Sequence, residues 1–305
     1  MHASRGDTGH AARRKSLARC PVIAQNSPVT STALFCGVDL ATRIEGAEAQ
    51  LIVAATEAAR ERGEVDALTM PVSGGYACFA GANSPMNKVV GLGFQGVPDA
   101  DAWNDVERAY AERGAPVTVE LCNLADPGIA TTLSQRGYQL VGFENVLGLA
   151  IDAQTPAVPS TIEVRPSGPS ELDAWVDAVV EGFAHPDGVG VAGHEDFPRE
   201  VVDHAMRDVL TAGATAYLAL CDGTVAGGGS MRLTEGIAQL NGAATVPSYR
   251  RRGVQAALLA TRLAQAAAAG CDVAVVTTAP GSTSQKNVQR SGFHLLYARA
   301  VLVKG

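Results

Sequence analysis

The sequence lacks the residue patterns that mark several classes of protein. No cysteine belongs to a Cys-x-x-Cys pair or has a nearby histidine, so neither a zinc site nor a disulfide framework is expected. The six cysteines are Cys20, Cys36, Cys78, Cys122, Cys221 and Cys271. No apolar run approaches the roughly 20 residues that span a bilayer, and no apolar segment follows the basic start, as it would in a signal peptide. We therefore expect no metal, no membrane contact and reduced thiols in the cytoplasm.

Positive charge is also scarce. The 305 residues carry 24 Lys and Arg against 31 Asp and Glu, which gives a formal net charge of −7 and a pI of about 5.4. A chain with this balance repels nucleic acid, so any anion site has to be a local cluster of arginines. Apolar residues make up 47% of the sequence. This is enough for a full core, and the length suggests two domains of ordinary size.

A motif near the middle of the chain returns at its end. Residues 136–147 and 291–302 share Gly, an aromatic residue, Leu and a final Val-Leu in register, and the two glycines lie 155 positions apart. Each motif follows a helix-like stretch and an apolar strand, which indicates two copies of one α/β unit. We predict a disordered leader over residues 1–30, one domain over 31–155 and a second over 156–305. A proline-containing linker at 151–169 joins the two domains.

In the second domain, hydrophobic periodicity and turn residues predict mixed strands and helices. The predicted strands are 162–165, 216–221, 225–233, 237–246, 273–277 and 293–303, and the predicted helices are 170–183, 198–210, one that ends near 269, and 284–290. Ser170 is the expected N-cap of the first helix and Gly270 the C-cap of the third, while Asp222 and Gly223 form a hairpin turn.

Three consecutive arginines stand where the physics of helices disfavours them. Arg250, Arg251 and Arg252 fall on a predicted turn between a strand and the alanine-rich helix after Gly253. A helix N-terminus carries about half a positive elementary charge and presents free N–H groups, so cations there repel the dipole unless an anion lies among them. Gly253 permits a close backbone approach. The turn therefore predicts a phosphate or pyrophosphate site, against the alternative of an ordinary basic surface cap.

The order of elements, the Arg-x-x-Gly turn and a Ser-x-x-Asn-x-x-Arg-x-Gly-Phe ending that starts at Ser284 resemble the GNAT superfamily of N-acetyltransferases over residues 160–305. The resemblance implies an α/β (α+β) fold of two tandem GNAT-like acyl-CoA N-acyltransferase domains, each a mixed, mostly antiparallel sheet flanked by helices. It also implies acetyl-CoA as co-substrate, with its pyrophosphate at the turn and its pantetheine arm beside the preceding strand. The implied binding residues are Ala243, Ala244, Thr245, Arg250, Arg251, Arg252, Gly253, Val254, Gln255, Ala256, Ser284 and Asn287. Gln255 stands where the family has a small residue, so its side chain has to point away from the pyrophosphate.

The first domain resembles a degenerate copy of the same fold. Residues 96–101 occupy the place of the arginine turn, and they include Asp99 and Asp101, which would repel the phosphates of CoA. We expect this copy to bind no CoA. It would instead cover the substrate cleft or act as an internal dimer partner.

Two alternatives come from other classes of protein. Gly91, Gly93 and Gly96 match the pattern Gly-x-Gly-x-x-Gly, so an NAD(P)-binding oxidoreductase is one rival. That motif needs a helix that opens within the glycines, whereas Pro98 and the following acidic residues delay any helix to about Ala102. The other rival is a non-catalytic acyl-CoA-binding module, whose sign would be missing catalytic groups.

The general acid and base of the predicted reaction do not fall at the usual family positions. In many GNAT proteins a tyrosine four residues before the closing glycine is the general acid, and here Val288 stands there. We name Tyr297 as the candidate acid, with a half-buried strand aromatic as its structural alternative. Glu235 is the candidate base, and its alternative is a solvated turn carboxylate.

The acceptor is expected to be an amine. His185, His194, Glu195 and Asp196 lie in the loops where this fold usually admits acceptors, and acidic residues there would suit a cationic substrate; the two histidines make no metal motif. We expect a cytoplasmic N-acetyltransferase that transfers acetyl from acetyl-CoA to a primary amine of a small molecule by direct attack in a ternary complex. An amino sugar, amino acid, polyamine or antibiotic fits equally well, and a homodimer is compatible with the sequence.

Overall fold

The computed structural model describes residues 34–151, 162–191 and 197–305. The predicted leader, most of the predicted linker, and His194, Glu195 and Asp196 lie outside the described residues. No described helix is long and apolar enough to cross a membrane.

The two halves of the chain contain the same run of elements. The first half consists of α1 (Val38–Arg62), β1 (Leu68–Val72), β2 (Gly75–Phe79), β3 (Lys88–Val90), α2 (Ala100–Ala111), β4 (Val117–Cys122), α3 (Pro127–Gln135) and β5 (Gln139–Ala150). The second half consists of β6 (Glu163–Pro166), α4 (Leu172–Ala184), α5 (Arg199–Thr211), β7 (Thr215–Cys221), β8 (Thr224–Thr234), β9 (Ile237–Thr245), α6 (Val254–Ala268), β10 (Val273–Thr278), α7 (Thr283–Arg290) and β11 (His294–Lys304). Three strands, a helix, a strand, a helix and a strand follow α1, and the same order starts again at β7. This is the order expected for two copies of one unit, and their common origin stays a prediction.

Turn residues place most element ends where the sequence predicts them. Asp222 and Gly223 have φ angles of 51° and 76°, the left-handed geometry of a two-residue hairpin turn, and Gly270 has a φ of 79° just after α6. The N-cap of α4 is an exception, because Ser170 lies inside a 3₁₀ turn and α4 begins at Leu172. Glu171 explains the shift, since its carboxylate accepts hydrogen bonds from Gly168 N (2.9 Å) and from Arg165 Nη1 (2.7 Å).

The described strands form a single sheet that crosses the boundary between the two halves. Its order is β1-β2-β3-β4-β11-β5-β10-β9-β8-β7-β6. Only β3 with β4 and β9 with β10 run parallel among the described neighbours; the other pairs are antiparallel. The last strand of the second half lies between two strands of the first half, and β5 in turn lies between two strands of the second half. The two halves are therefore interlocked through β5 and β11.

Helices cover both faces of the sheet. Helices α1, α4 and α5 pack on one face, where Trp175 of α4 is fully buried. Helices α2, α3, α6 and α7 pack on the other face, with Trp103 of α2 and Leu258 of α6 in its cores. The arginine turn lies between the end of β9 and the start of α6, so the candidate site is at the edge of the α6 face.

Candidate acyl-CoA site

The two parallel strands β9 and β10 separate after three residue pairs. Ile237, Ala238 and Gln239 of β9 pair with residues 273–275 of β10. Beyond this point β9 continues to Thr245, while β10 continues to Thr278 and pairs on its other edge with β5. The backbone of residues 240–245 therefore faces a gap instead of β10, and its N–H and C=O groups on that side are open to the amides of an extended ligand.

A β-bulge turns β9 away at the gap. Gly228 of β8 pairs with Ala244, but Ser230 pairs with Asn241, so β9 uses one residue more than β8 over this stretch. Gly242 takes up the extra length with a φ of 53°. Bulges bend the strand that contains them and increase its twist, which accounts for the separation of β9 from β10.

Two buried side chains hold the bulge from opposite faces of the sheet. Trp175 Nε1 of α4 donates to Gly229 O at 3.1 Å. Arg262 Nη1 of α6 donates to Ser230 O at 2.9 Å and to Asn241 O at 3.4 Å. Arg262 is 3% exposed, and no described carboxylate forms an ion pair with it. Burial lowers the pKa of its guanidinium to about 10, and the charge is stabilised by the bulge carbonyls together with Leu258 O, which accepts from Arg262 Nε at 3.1 Å.

The turn after β9 ends at an uncapped helix. Arg251 has a φ of 62° and Gly253 a φ of 88°, and α6 starts at Val254. No side chain caps α6, and its first turn contains no acidic residue. The first N–H groups of α6 are therefore unpaired at the positive end of the helix dipole, which is the geometry of an anion site.

The three arginines of the turn have different surroundings. Arg251 and Arg252 are exposed, and neither has a carboxylate partner among the described residues; Arg252 lies 5.3 Å from the centre of the Tyr249 ring. Arg250 instead reaches α4, where its Nη2 donates to Gly182 O at 3.2 Å and also to His185 O. Only Arg251 and Arg252 are therefore available to an anion at the turn.

Gln255, which departs from the family pattern, bonds to the end of β9. Its Nε2 donates to Thr245 Oγ1 at 2.9 Å. The side chain is thus directed at a strand residue of the protein, and it joins β9 to the first turn of α6. This contact gives a physical reason for a glutamine where a small residue is usual.

The remaining predicted binding residues lie on two elements that border the gap. Ala243, Ala244 and Thr245 belong to β9, and Ala244 packs so tightly on α4 that a Cβ on Gly182 would lie 2.6 Å from its side chain. Ser284 and Asn287 lie on α7, the helix that follows β10. No described hydrogen bond joins these two side chains to the turn.

Glu235, the candidate base, lies far from the gap. It forms the β8–β9 hairpin turn with Gly236, with φ angles of 49° and 81°. Its side chain is exposed, and its backbone oxygen accepts from Arg43 Nη2 at 3.1 Å. The full length of β9, roughly 30 Å, separates it from Thr245. The structure does not bring Glu235 together with the turn.

Tyr297, the candidate acid, is buried in a network on the opposite face from α6. Its hydroxyl donates to Glu45 Oε1 of α1 at 2.6 Å, and Arg299 Nε donates to the same oxygen at 2.8 Å. Burial and the Glu45 carboxylate raise the pKa of Tyr297 well above its ordinary value. Tyr297 pairs with β5, which lies between it and β10, so its position favours the structural alternative.

An ionic cluster on the α1 face is not indicated by any sequence pattern. Arg299 of the second half lies 2.8 to 4.0 Å from four carboxylates that all belong to the first half. They are Glu45, Glu48, Glu120 and Glu144. Gln239, the last paired residue of β9, donates to Glu48 at 3.3 Å, so the cluster reaches the start of the gap. Burial, together with the charge of Glu120, raises the pKa of Glu144 to about 7.

The glycine motif of the first half does not form an open phosphate-binding loop. Gly91, Gly93 and Gly96 all have positive φ angles, but α2 starts only at Ala100, with Asp99 as its N-cap. Gly93 O accepts from the backbone N of Asp126, and a Cβ on Gly93 would lie 2.5 Å from Ala125. This loop is therefore filled by the β4–α3 connection, which argues against a dinucleotide.

Comparison with known proteins agrees with this geometry. Residues 184–293 match the model of the acetyltransferase (GNAT) family, and no curated protein matches the chain. A GCN5-related N-acetyltransferase from Kribbella flavida is similar in structure, with 18% identity, a TM-score of 0.57 and coverage of 83% of this chain and 95% of its own. A tandem GNAT protein from the clavulanic acid biosynthesis pathway shares 15% identity with a TM-score of 0.50, over 67% of this chain and 68% of its own.

The described elements form the mixed, mostly antiparallel α/β fold of the GNAT proteins compared above. Residues 184–293 are thus similar to the acetyltransferase (GNAT) family, as the resemblance in the sequence predicts. This similarity supports acyl transfer from an acyl-CoA donor. No group of described residues has the arrangement of a metal site.

Proposed function

We propose that the protein is an N-acetyltransferase that transfers acetyl from acetyl-CoA to a primary amine of a small molecule. The observation that carries this proposal is the gap where β9 leaves β10 and then runs into the arginine turn. An extended amide-containing arm fits beside residues 240–245, and a pyrophosphate fits the uncapped start of α6. Arg251 and Arg252 would neutralise the phosphates, while Gly253 admits them to the backbone.

The reaction proposed is direct attack in a ternary complex. The ammonium of the acceptor first loses one proton, and the free amine nitrogen then attacks the thioester carbonyl carbon. The new C–N bond forms as the C–S bond breaks, the leaving thiolate takes up a proton, and the amide nitrogen loses its second proton. The products are an acetamide, CoA thiol and one proton released to solvent. The residues of the chain bind and orient both substrates.

The acid and base of this reaction stay unassigned within the proposal. Glu235 and Tyr297 are the base and the acid that the sequence predicts. The position of Glu235 in a hairpin turn and the buried hydrogen bond from Tyr297 to Glu45 argue against these two roles. At Val288, where family members have a tyrosine, the side chain packs in the core beneath α6. Direct attack needs no covalent enzyme intermediate, so a solvent route for protons is compatible with the proposal.

The first half is proposed to bind no CoA. Asp99 accepts a hydrogen bond from Ala102 N at 2.9 Å and caps α2, and Asp101 adds a second carboxylate to the first turn. The helix start that corresponds to the arginine turn is thus already satisfied and negatively charged, which disfavours phosphates. We also propose a domain boundary at residue 155 and a cytoplasmic location. A homodimer is compatible with this proposal.

The function is tested by mixing the protein with acetyl-CoA and a panel of amines that covers amino sugars, amino acids, polyamines and aminoglycosides. Release of free thiol that depends on one class of amine supports the proposal. The double variant Arg251→Glu/Arg252→Glu is expected to weaken acetyl-CoA binding about tenfold or more, the size of one lost charged hydrogen bond. Arg108→Glu is the control, because Arg108 is equally exposed but lies on α2.

Two results would contradict the proposal. Unchanged acetyl-CoA affinity in the double variant would remove the anion site from the turn. Binding of acetyl-CoA without thiol release for any amine would favour the non-catalytic acyl-CoA-binding module.

A further inference from the structure

Arg250 is a member of the arginine turn that does not face the anion site. Its Nη2 donates to Gly182 O at 3.2 Å and to His185 O. These carbonyls belong to the last turn of α4, which ends at Ala184, and to the residue that follows it. Carbonyls at a helix C-terminus lack intrahelical partners and carry partial negative charge, so a guanidinium is well suited to bind them. Arg250 thus has a complete structural role without any phosphate.

The segment that starts at His185 is held at its other end as well. Val191 N donates to Pro280 O at 3.2 Å. Gly190, with a φ of 102°, lies so close to the β10–α7 connection that a Cβ there would come within 2.8 Å of the backbone of Ser282. Residues 185–191 therefore run from the turn after β9 to the connection after β10.

These two attachments place the segment across the mouth of the gap between β9 and β10. One end contacts the turn that follows Thr245, and the other contacts the connection that follows Thr278. A thioester between the two strands would lie beneath the segment, so a second substrate has to approach along it. His185 lies at the entrance, and its Nδ1 is 3.0 Å from Glu181 O.

We propose that Arg250 is a positioning residue that holds segment 185–191 over the gap and so determines how the acceptor binds. This inference rests on the proposed function. The three arginines then have different roles. Arg251 and Arg252 bind the donor, whereas Arg250 fixes the position of segment 185–191, which the acceptor contacts. Loss of its guanidinium raises the KM of the acceptor and leaves the affinity for acetyl-CoA nearly unchanged.

The test compares Arg250→Met and Arg250→Lys with Arg251→Met. Arg250→Met is expected to raise the acceptor KM about tenfold, as for the loss of one charged hydrogen bond, with the Kd of acetyl-CoA by calorimetry within about twofold of the wild type. Arg250→Lys keeps a cation at the end of α4 and should restore part of the loss. Arg251→Met should show the reverse pattern, a weaker acetyl-CoA Kd with a smaller change in acceptor KM.

Gly190 gives a second perturbation of the same segment. Gly190→Ala forces a methyl group against the Ser282 backbone, and it should raise the acceptor KM as Arg250→Met does. Gly188→Ala is its matched control, because Gly188 also has a positive φ (68°) but a Cβ there meets nothing within 4 Å. This pair keeps the test valid if Arg250→Met fails to fold.

Hydrogen exchange provides a readout that needs no turnover. In Arg250→Met, the amides of residues 185–191 should exchange faster, while those at the start of α6 keep their wild-type rates. A rise in the acetyl-CoA Kd of Arg250→Met equal to that of Arg251→Met, with unchanged exchange in 185–191, overturns the inference and makes Arg250 a phosphate ligand. Failure of the proposed function is distinguishable, because thiol release would then be absent from the wild type while the exchange pattern would persist.

Discussion

At the scale of single residues, Arg262 shows how the gap depends on a buried charge. A bulge leaves strand carbonyls without ladder partners, and buried unpaired carbonyls cost free energy. Arg262 satisfies two of them from the α6 face while Trp175 satisfies a third from the α4 face. Gly229 is small for the same reason, since a Cβ there would lie 3.1 Å from the guanidinium carbon of Arg262.

Replacing Arg262 by Met should destabilise the protein strongly. The variant leaves the buried Ser230 O and the half-buried Asn241 O without that donor, and we expect the free energy of unfolding to fall by about 2 kcal/mol or more. Urea unfolding measures the change, with Arg251→Met as a control that removes an exposed arginine. Equal stability of the two variants would show that the bulge does not need the guanidinium.

The residues of the site also mark the limit of what the sequence predicts. The αL glycine at 253 and the start of α6 follow from local turn chemistry, and the structure has both. The partners of Arg250 and Tyr297 do not follow, because Gly182 is 68 positions from the first and Glu45 is 252 positions from the second. Such contacts are set by tertiary packing, which local patterns do not encode.

At the scale of elements, α6 has a glycine with left-handed backbone geometry at each end, but only its first end belongs to the proposed anion site. Gly253 precedes the helix with a φ of 88°, and Gly270 follows it with a φ of 79°. Both have room for a methyl group, since the nearest atom to a Cβ on Gly253 is 3.9 Å away and none lies within 4 Å of one on Gly270. Alanine therefore imposes the same backbone strain at either end.

Gly253→Ala and Gly270→Ala should each lower the stability by about 1 kcal/mol, because an L-residue is disfavoured at positive φ. Only Gly253→Ala should also weaken acetyl-CoA binding, since the strain there moves the N–H groups that face the anion. Thermal unfolding and calorimetry on both variants check this. If Gly270→Ala weakens binding as much, the effect comes from general destabilisation of α6.

The strands of the second half were predictable to within one or two residues, because alternation and turn residues are local signals. The bulge in β9 was not, because it depends on Arg262 and Trp175 from two helices on opposite faces. The family resemblance implied only a pantetheine arm beside β9, which requires β9 to separate from β10. The bulge and its two side chains now give this separation a physical cause.

At the scale of the whole molecule, the two halves are joined by exchange of strands. β11 pairs with β4 and β5, and β5 pairs with β10 and β11. The repeat was visible in the sequence, but the interlock was not, since two similar strands can each pair within their own half or across the boundary.

Residues 156–305 expressed alone should not form a stable native domain. Without residues 31–155, β10 loses its antiparallel neighbour β5, and β11 loses both neighbours, so three strand edges are left unpaired. Near-UV circular dichroism and gel filtration should show a poorly packed or aggregating chain, and coexpression with residues 31–155 should restore the fold. A monomeric fragment with cooperative unfolding would contradict the interlock.

The ionic cluster at the boundary should make stability depend on pH. Burial raises the pKa of Glu144 from its ordinary value near 4.5 to about 7, and the groups that face it are Glu48, Glu120, Lys88 and Arg299. At Glu144 the folded state therefore binds more protons than the unfolded state between these pH values, so the contribution of this carboxyl to stability is greatest below about pH 4.5 and is lost as the pH rises through 7.

Glu144→Gln removes that titration. It should leave Tm nearly unchanged at pH 5 and raise it by a few degrees at pH 8, relative to the wild type. Glu112→Gln, a change at an exposed carboxylate after α2, is the control and should alter Tm little at either pH. A lower Tm for Glu144→Gln at pH 8 would mean that the ionised carboxylate stabilises the cluster.

The central claim is that the gap and the arginine turn bind an acyl-CoA. Thermal unfolding of the full chain with acetyl-CoA, CoA and NADH in parallel tests it most directly, because a ligand at 100 times its Kd stabilises the native state by about 2.7 kcal/mol. The account predicts a higher Tm with acetyl-CoA and CoA and none with NADH. A shift with NADH alone, or no shift with any of the three, would contradict it.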